Sequence, residues 1–301
     1  MMHFSCKTVL IPIDFSETSM LAVRHAAFLA QYQKSTLYVL HVINSNFGSI
    51  ELFVPVMDFN TQHKLEEKAW ERLKDLTQEI SNEFQIEVVP ELRNGSASKH
   101  IVEFGKQVKA DLIVMGTHGY SPFEELLIGS TALKVFIKAP CPVIAMRQHE
   151  LRKGYTHLLM PVDLSPHSGQ KALYTMELAK SYGATVHLLG LLHEHESSEL
   201  AALKALMAQI EAMAQKLNVK VIRSISTQVT NRAKATLDYA KQHPVDLISI
   251  MTDQEAEWSG FFLGPYSQQI IHHSPIPVLA IKPLDLHDGQ ESGFYSASVG
   301  F

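Results

Sequence analysis

Cysteine is scarce: Cys6 and Cys141 are the only two in 301 residues. That is too few for a disulfide framework, and each reads as a small apolar residue, so a reducing cytoplasm fits the chain. Excess positive charge is missing as well. A formal net charge of −5 offers no broad attraction for a nucleic-acid backbone or an anionic membrane. Nor is there a long unbroken hydrophobic run. Asp14 arrives before any such run at the amino terminus, and Lys134 and Lys138 interrupt the most apolar region, Leu126 to Met146, so neither a signal peptide nor a membrane span is expected. Two familiar phosphate-binding signatures are also absent, the Walker pattern GxxxxGK(S/T) and the dinucleotide fingerprint GxGxxG.

What is present is enough apolar residue for folded cores, 46% hydrophobic against 19% charged, which excludes global disorder. At roughly 100 to 200 residues per domain the length predicts two domains. Self-similarity agrees. The segment Thr8-Val-Leu-Ile-Pro-Ile-Asp-Phe-Ser returns as Thr156-His-Leu-Leu-Met-Pro-Val-Asp-Leu-Ser with one residue inserted, and Ala139-Pro-Cys-Pro-Val-Ile-Ala returns as Ser274-Pro-Ile-Pro-Val-Leu-Ala. The offset is 149 residues at the start of the unit and 135 at its end, so the first copy carries 14 more residues, placed between its second and third strands and including Asn44 to Asn60. The expected organisation is a first domain over 1–147, a linker over 148–154, a second domain over 155–283 and a tail over 284–301.

Short Val-, Ile- and Leu-rich runs predict five strands in the first copy: Lys7 to Ile13, Ser35 to Ile43, Ile86 to Leu92, Asp111 to Met115 and Pro142 to Arg147. Helical patterns lie between them at Glu17 to Gln33, Thr61 to Phe84, Ser98 to Lys109 and Ser130 to Lys138. The second copy repeats the alternation, with strands at Thr156 to Val162, Thr185 to Leu192, Val219 to Ile225, Asp246 to Met251 and Pro277 to Lys282. Alternating strands and helices predict parallel sheets joined by right-handed crossovers, an α/β, doubly wound, Rossmann-like domain in each half.

Ligands of such sheets bind beyond the carboxyl ends of the strands, where strand order reverses. Two strand ends carry chemistry there: Asp14 after the first, and Gly116-Thr117-His118-Gly119 after the fourth. Nine residues later, Gly129-Ser130-Thr131 opens a helix. Glycine lets a backbone approach a ligand closely, and a helix amino end attracts phosphate. Ordinary turns explain the same glycines, and Asp14 reads equally as a helix cap or a ligand contact. His118 has no acid or nucleophile paired with it in sequence, and no catalytic residue is assigned.

The order Pro12-x-Asp14-x-Ser16, Gly116-x-x-Gly119, nine residues, Gly129-Ser130, then Ala139-Pro-Cys-Pro-Val143 resembles the ATP-binding class of universal stress proteins, in its tandem two-domain form. The resemblance covers about residues 5 to 283. It implies a five-stranded parallel sheet of order 3-2-1-4-5 in each half and a nucleotide-binding stress or regulatory protein. Ile13 and Asp14 would lie near adenosine or magnesium, and Val42 near adenine. Met115, Gly116 and Gly119 would line the ribose and phosphate side, while Gly129, Ser130 and Thr131 would hold the phosphates of ATP. It also implies that Pro142 to Arg147 and Pro277 to Lys282 pair within the chain as a pseudo-dimer.

In the second copy, Met251, Gln254, Pro265 and Tyr266 stand where the first has Gly116, Gly119, Ser130 and Thr131. Those larger side chains, with Asp253 and Glu255 beside Gln254, are expected to occupy the space or repel a phosphate, and Pro265 lacks an N–H donor, leaving a degenerate site. Three alternatives remain open. A slow ATPase or adenine-nucleotide hydrolase is one; an adenylating enzyme is disfavoured, because Pro12-Ile-Asp-Phe-Ser-Glu replaces the expected Ser-Gly-Gly-x-Asp-Ser. A scaffold carrying an apolar ligand near Trp258, Phe261 and Phe262 is another. The third is a metal held by His193-Glu194-His195-Glu196, where His193 and His195 share a face if the strand continues.

Overall fold

Runs such as Thr8-Val-Leu-Ile-Pro-Ile have no polar face, so they are stable as strands only with helices on both sides. The computed structural model describes residues 6–43, 59–117, 128–147, 154–165, 167–252 and 263–283, the side chains of 59–62, 194, 195 and 197 excepted. The first half runs β1 (Thr8–Ile13), α1 (Glu17–Gln33), β2 (Thr36–Ile43), α2 (Phe59–Phe84), β3 (Val88–Asn94), α3 (Ala97–Gln107), β4 (Leu112–Gly116), α4 (Ser130–Lys138) and β5 (Val143–Met146). The second runs β6 (His157–Val162), α5 (Ser168–Tyr182), β7 (Thr185–His193), a 3₁₀ turn (Glu194–Glu199), α6 (Leu200–Lys216), β8 (Lys220–Val229), α7 (Arg232–Gln242), β9 (Leu247–Met251), α8 (Pro265–His273) and β10 (Val278–Ile281).

Each half has the expected strand order, but the two sheets are merged. One ten-stranded sheet runs β3-β2-β1-β4-β5-β10-β9-β6-β7-β8. Every pairing is parallel except the junction, where β5 and β10 run antiparallel with Val278 opposite Ala145 and Ala280 opposite Val143. All four residues of each junction strand are buried, so the last strand of each half is an interior strand with no exposed edge. Helices α1 and α5 reinforce the junction on one face. His25 Nε2 and Tyr155 Oη lie 2.7 Å apart, Tyr32 stacks on Tyr182 at 4.5 Å between centroids, and Gln33 Nε2 donates to Ser181 Oγ. Each face of the sheet carries one apolar core that runs through both halves.

One detail of the repeat differs from the sequence reading and another agrees with it. Strands β1 and β6 are both six residues long and hold matching positions, so Thr8 corresponds to His157 and no inserted residue is needed. Part of the first copy's extra length belongs to α2, 26 residues against 17 for α6; residues 44–58 lie outside the described ones. So do the expected linker at 148–153, the tail from 284 onward, and Trp258, Phe261 and Phe262.

Strand order reverses between β1 and β4, and again between β6 and β9. These pairs share only two opposed positions each, whereas β1 and β2 share six. A carboxylate fastens the amino-terminal end of each short pairing. Asp111 Oδ2 accepts from the backbone N–H groups of Lys7 and Thr8 at 2.8 and 3.0 Å. Asp246 accepts from the N–H groups of Thr156 and His157 and from Thr156 Oγ1, at 2.6, 3.1 and 2.7 Å. Closed at one end, the strands part toward their carboxyl ends, where the crevices form.

In the second half, His187 occupies the place that Tyr38 holds in the first. It is buried, with its Nε2 3.0 Å from His157 Nδ1 and its Nδ1 3.0 Å from Tyr239 Oη; the rings of Tyr239 and His243 stack behind it. Desolvation, then the neighbouring His157 and His243, pull its pKa from the ordinary value down to about 4, against an opposing pull from Asp246.

Replacing Asp246 by Ala strands two backbone donors and one hydroxyl, and we expect a loss of about 3 kcal/mol in urea unfolding; a loss below about 1 kcal/mol would contradict the fastening role. The depressed pKa of His187 means that the unfolded chain takes up this proton first, near pH ~6.5. Its contribution to stability is therefore complete above that pH and is lost as the pH falls toward about 4. The variant His187→Tyr, with the first half's residue, should show a shallower fall of Tm across that window, and identical profiles would refute the assignment.

Candidate functional site

The first crevice is a cleft of about 300 Å³ beyond the carboxyl ends of β1, β2 and β4. Eight of the nine residues singled out from the sequence line it: Ile13, Asp14, Val42, Met115, Gly116, Gly129, Ser130 and Thr131. Gly119 lies outside the described residues, as does His118. Leu40, Ala97 and Ile101 complete the apolar wall around the half-buried Val42.

Local chemistry separates the two readings of Asp14. The residue that caps α1 is Ser16, whose Oγ accepts from Ser19 N at 3.2 Å. Asp14 supports that cap, its Oδ1 accepting from Ser16 N at 2.9 Å and Ser16 Oγ at 2.5 Å. Its Oδ2 has no hydrogen bond among the described residues, and the side chain is exposed to the cleft. Directly after it, Phe15 has φ 63°, a left-handed conformation costly for a bulky residue. The ring is clamped between His41, at 4.8 Å, and the Arg72 guanidinium, 4.2 Å from its centroid. His41 Nδ1 in turn lies 2.8 Å from Ile13 O. Sequence reasoning missed His41 and Arg72, because they act on the Asp14 turn from elements distant in the chain.

Opposite Asp14, α4 begins without a capping side chain: Gly129 is its N-cap, and the first turn presents Ser130 and Thr131. The start of this helix is tied to the end of β4 by Gly129 N donating to Thr117 O at 3.0 Å, and Thr117 N donates to Met146 O on β5. An uncapped helix amino end carries unsatisfied N–H groups and a partial positive charge, the standard attractor of an anion. Gly116 is required by space. A Cβ there would sit 2.9 Å from Thr18 Cγ2.

The described residues leave the second crevice open as a cleft of about 580 Å³: Met251 is wholly buried in its strand and the Tyr266 hydroxyl is turned to Thr236, 3.1 Å from its Oγ1, so these two side chains do not block it. Residues 253–262, including Gln254, lie outside the described ones. What distinguishes this cleft is charge. Among the described residues, Asp14 is the one ionisable side chain lining the first cleft, whereas Asp163, His193, Glu196, Glu199 and Arg232 line the second.

Asp163 repeats the role of Asp14, accepting from Ser165 N, Ser165 Oγ and Ser168 Oγ. Burial raises its pKa, but the Lys171 ammonium and the serine donors outweigh burial and hold it below the ordinary carboxylate range. Lys171 itself is 1% exposed, and desolvation lowers its pKa against the pull of Asp163. It takes the place of Ala22 in the first half. Arg232, at the first position of α7, takes the place of Ala97 and donates from one terminal nitrogen to both oxygens of Glu196 at 2.6 Å. Sequence comparison at the two offsets contained both exchanges, Ala22 for Lys171 and Ala97 for Arg232, but neither belongs to a motif. The His193 and His195 reading changes too, since β7 ends at His193 and the chain turns into a 3₁₀ helix, ending the strand alternation. No group of three metal-ligating side chains occurs among the described residues.

Gly116→Ala should lower stability by about 1–3 kcal/mol, the usual range for forcing a methyl into a packed site, and Thr18→Ala should recover most of the loss in a double-mutant cycle. Additive losses would refute the contact.

Comparison with known proteins agrees with the duplication. The sequence model of the Universal stress protein family matches residues 5–147 and again 154–282. A universal stress protein of Methanocaldococcus jannaschii is 34% identical over 149 residues, covering 47% of this chain and 82% of that one. The universal stress protein A homolog 1 of Coxiella burnetii is 32% identical over 156 residues, half of this chain and all of its own length. Among solved structures, a universal stress protein from Archaeoglobus fulgidus superposes with a TM-score of 0.73 over 94% of this chain and 98% of its own, at 22% identity, and so shares the fold. No described helix is long and apolar enough to cross a membrane. With both halves matched, the chain belongs to the universal stress protein family in its tandem form.

Proposed function

We propose that this protein is an ATP-binding stress-response or regulatory protein whose nucleotide is held by the first cleft. The observation that carries this reading is the pairing of an exposed, half-engaged carboxylate, Asp14, with the uncapped amino end of α4, across a gap bounded by Gly116. The apolar wall of Leu40, Val42, Ala97 and Ile101 suits a purine base. The N–H groups and hydroxyls of Ser130 and Thr131 suit phosphate oxygens, and the free oxygen of Asp14 suits a magnesium ion riding on them. Ile13 and Met115 border the ribose region, and Gly119 takes its role from the motif alone.

Holding rather than turnover fits this cleft. Asp14 is engaged by its own serine cap and has no described acid or base beside it in the lining to share proton transfer. In this reading residues 1–147 form the nucleotide-binding domain and 155–283 a structural or regulatory one. The β5 and β10 edges are the faces that join the two as a pseudo-dimer, and a reducing cytoplasm keeps Cys6 and Cys141 as free thiols.

The test is to denature freshly purified protein and identify released nucleotide by chromatography, beside a Gly129→Val, Ser130→Pro variant. Proline at the first helical position leaves the helix intact while deleting an N–H donor, and the second half carries Pro265 there naturally. We expect close to one adenine nucleotide per chain from the parent and at least tenfold less from the variant, with matching circular dichroism. Equal retention by the variant would overturn the site.

A further inference from the structure

The second cleft is wider than the first, yet it carries a carboxylate where an anionic ligand would otherwise be received. Glu196 Oε2 accepts from the backbone N–H of His193 at 2.7 Å and from Arg232 at 2.6 Å, while Oε1 accepts from the same Arg232 nitrogen at 2.6 Å. The guanidinium stands at the start of α7, whose amino end is capped by Asn231, and the carboxylate has settled on a cation and a backbone donor together. These are the parts of a phosphate or carboxylate receptor. Arg232 Nε is buried and has no hydrogen-bond partner among the described residues, so the guanidinium has donor capacity that Glu196 leaves unused.

We propose that the second cleft contains an anion-binding subsite for a phosphoanion, built on Arg232 and the His193 N–H, which Glu196 occupies as an internal competitor. The charges support the assignment. Arg232 answers Glu196, and Lys171 beneath the floor answers Asp163, which leaves Glu199 as the uncompensated charge among these lining groups. A phosphoanion entering the native cleft meets three carboxylates. With Glu196 neutral, Asp163 and Glu199 are balanced by Lys171 and Arg232. Residues Glu196 and Arg232 are each about one-third exposed, and an ion pair this open is held weakly, so removing the Glu196 charge frees Arg232 for a polyanion. The exclusion of phosphate from this half is thereby electrostatic and reversible, set by one side chain of the 3₁₀ turn after β7, and it does not depend on the nucleotide reading of the first cleft.

The experiment is calorimetric titration of inorganic triphosphate into the full chain and into Glu196→Gln, with Glu196→Ala as a second variant and Glu196→Gln/Arg232→Ala as the control. Wild type gives the number of sites outside this subsite. Glu196→Gln and Glu196→Ala should each add one binding equivalent per chain to the wild-type number, and the double variant should lose it. Retention of the wild-type Tm within a few degrees checks that each variant folds. No added equivalent in either single variant, or an added one that survives Arg232→Ala, would overturn the proposal. Absence of binding to wild type would bear instead on the first cleft, so the two failures are separable.

Discussion

Both halves depend on a short strand pairing that is fastened at one end only. Asp111 and Asp246 accept the N–H groups at the start of β1 and β6, and the pairing with β4 and β9 then lasts for only two opposed residues. Beyond those residues no ladder bond holds the strands together, so the loops that follow them border open space. The ligand-sized clefts, the placement of Asp14 and Asp163, and the approach of α4 and α8 are consequences of that geometry.

Duplication kept this frame and changed its charge. The serine bonded to the carboxylate after the first strand and the glycine before the fourth helix recur in both halves, whereas a serine cap holds α1 alone. Around them, Lys171 stands where the first half has Ala22 and Arg232 where it has Ala97, each a cation in place of a small residue, and Arg232 is paired with Glu196. Among the described residues, side-chain volume does not close the second cleft. The exposed start of α4, open to an anion, has as its counterpart a helix beginning with proline beside a cleft already occupied by an internal ion pair.

The antiparallel junction has a mechanical effect as well. By burying the last strand of each half, it makes one sheet of two and lets a single core run along each face. Stacked Tyr32 and Tyr182, with the His25 and Tyr155 contact beside them, lock the first helix of one half against that of the other. The two clefts are therefore carried on one framework.

The sequence by itself determined the elements, their alternation and the first cleft. Those rest on local signals: apolar runs, a serine cap, glycines at strand and helix ends, and an internal echo that betrays duplication. Only the tertiary structure decided that Phe15 is clamped by His41 and Arg72, that Lys171 lies buried near Asp163, and that Glu196 reaches Arg232 across 36 residues. Those contacts join residues without a shared motif or period, so nothing in the linear pattern announces them. Whether a large side chain fills a cleft or turns away from it, as Tyr266 does toward Thr236, is likewise settled by the hydrogen-bond partner that folding brings within reach.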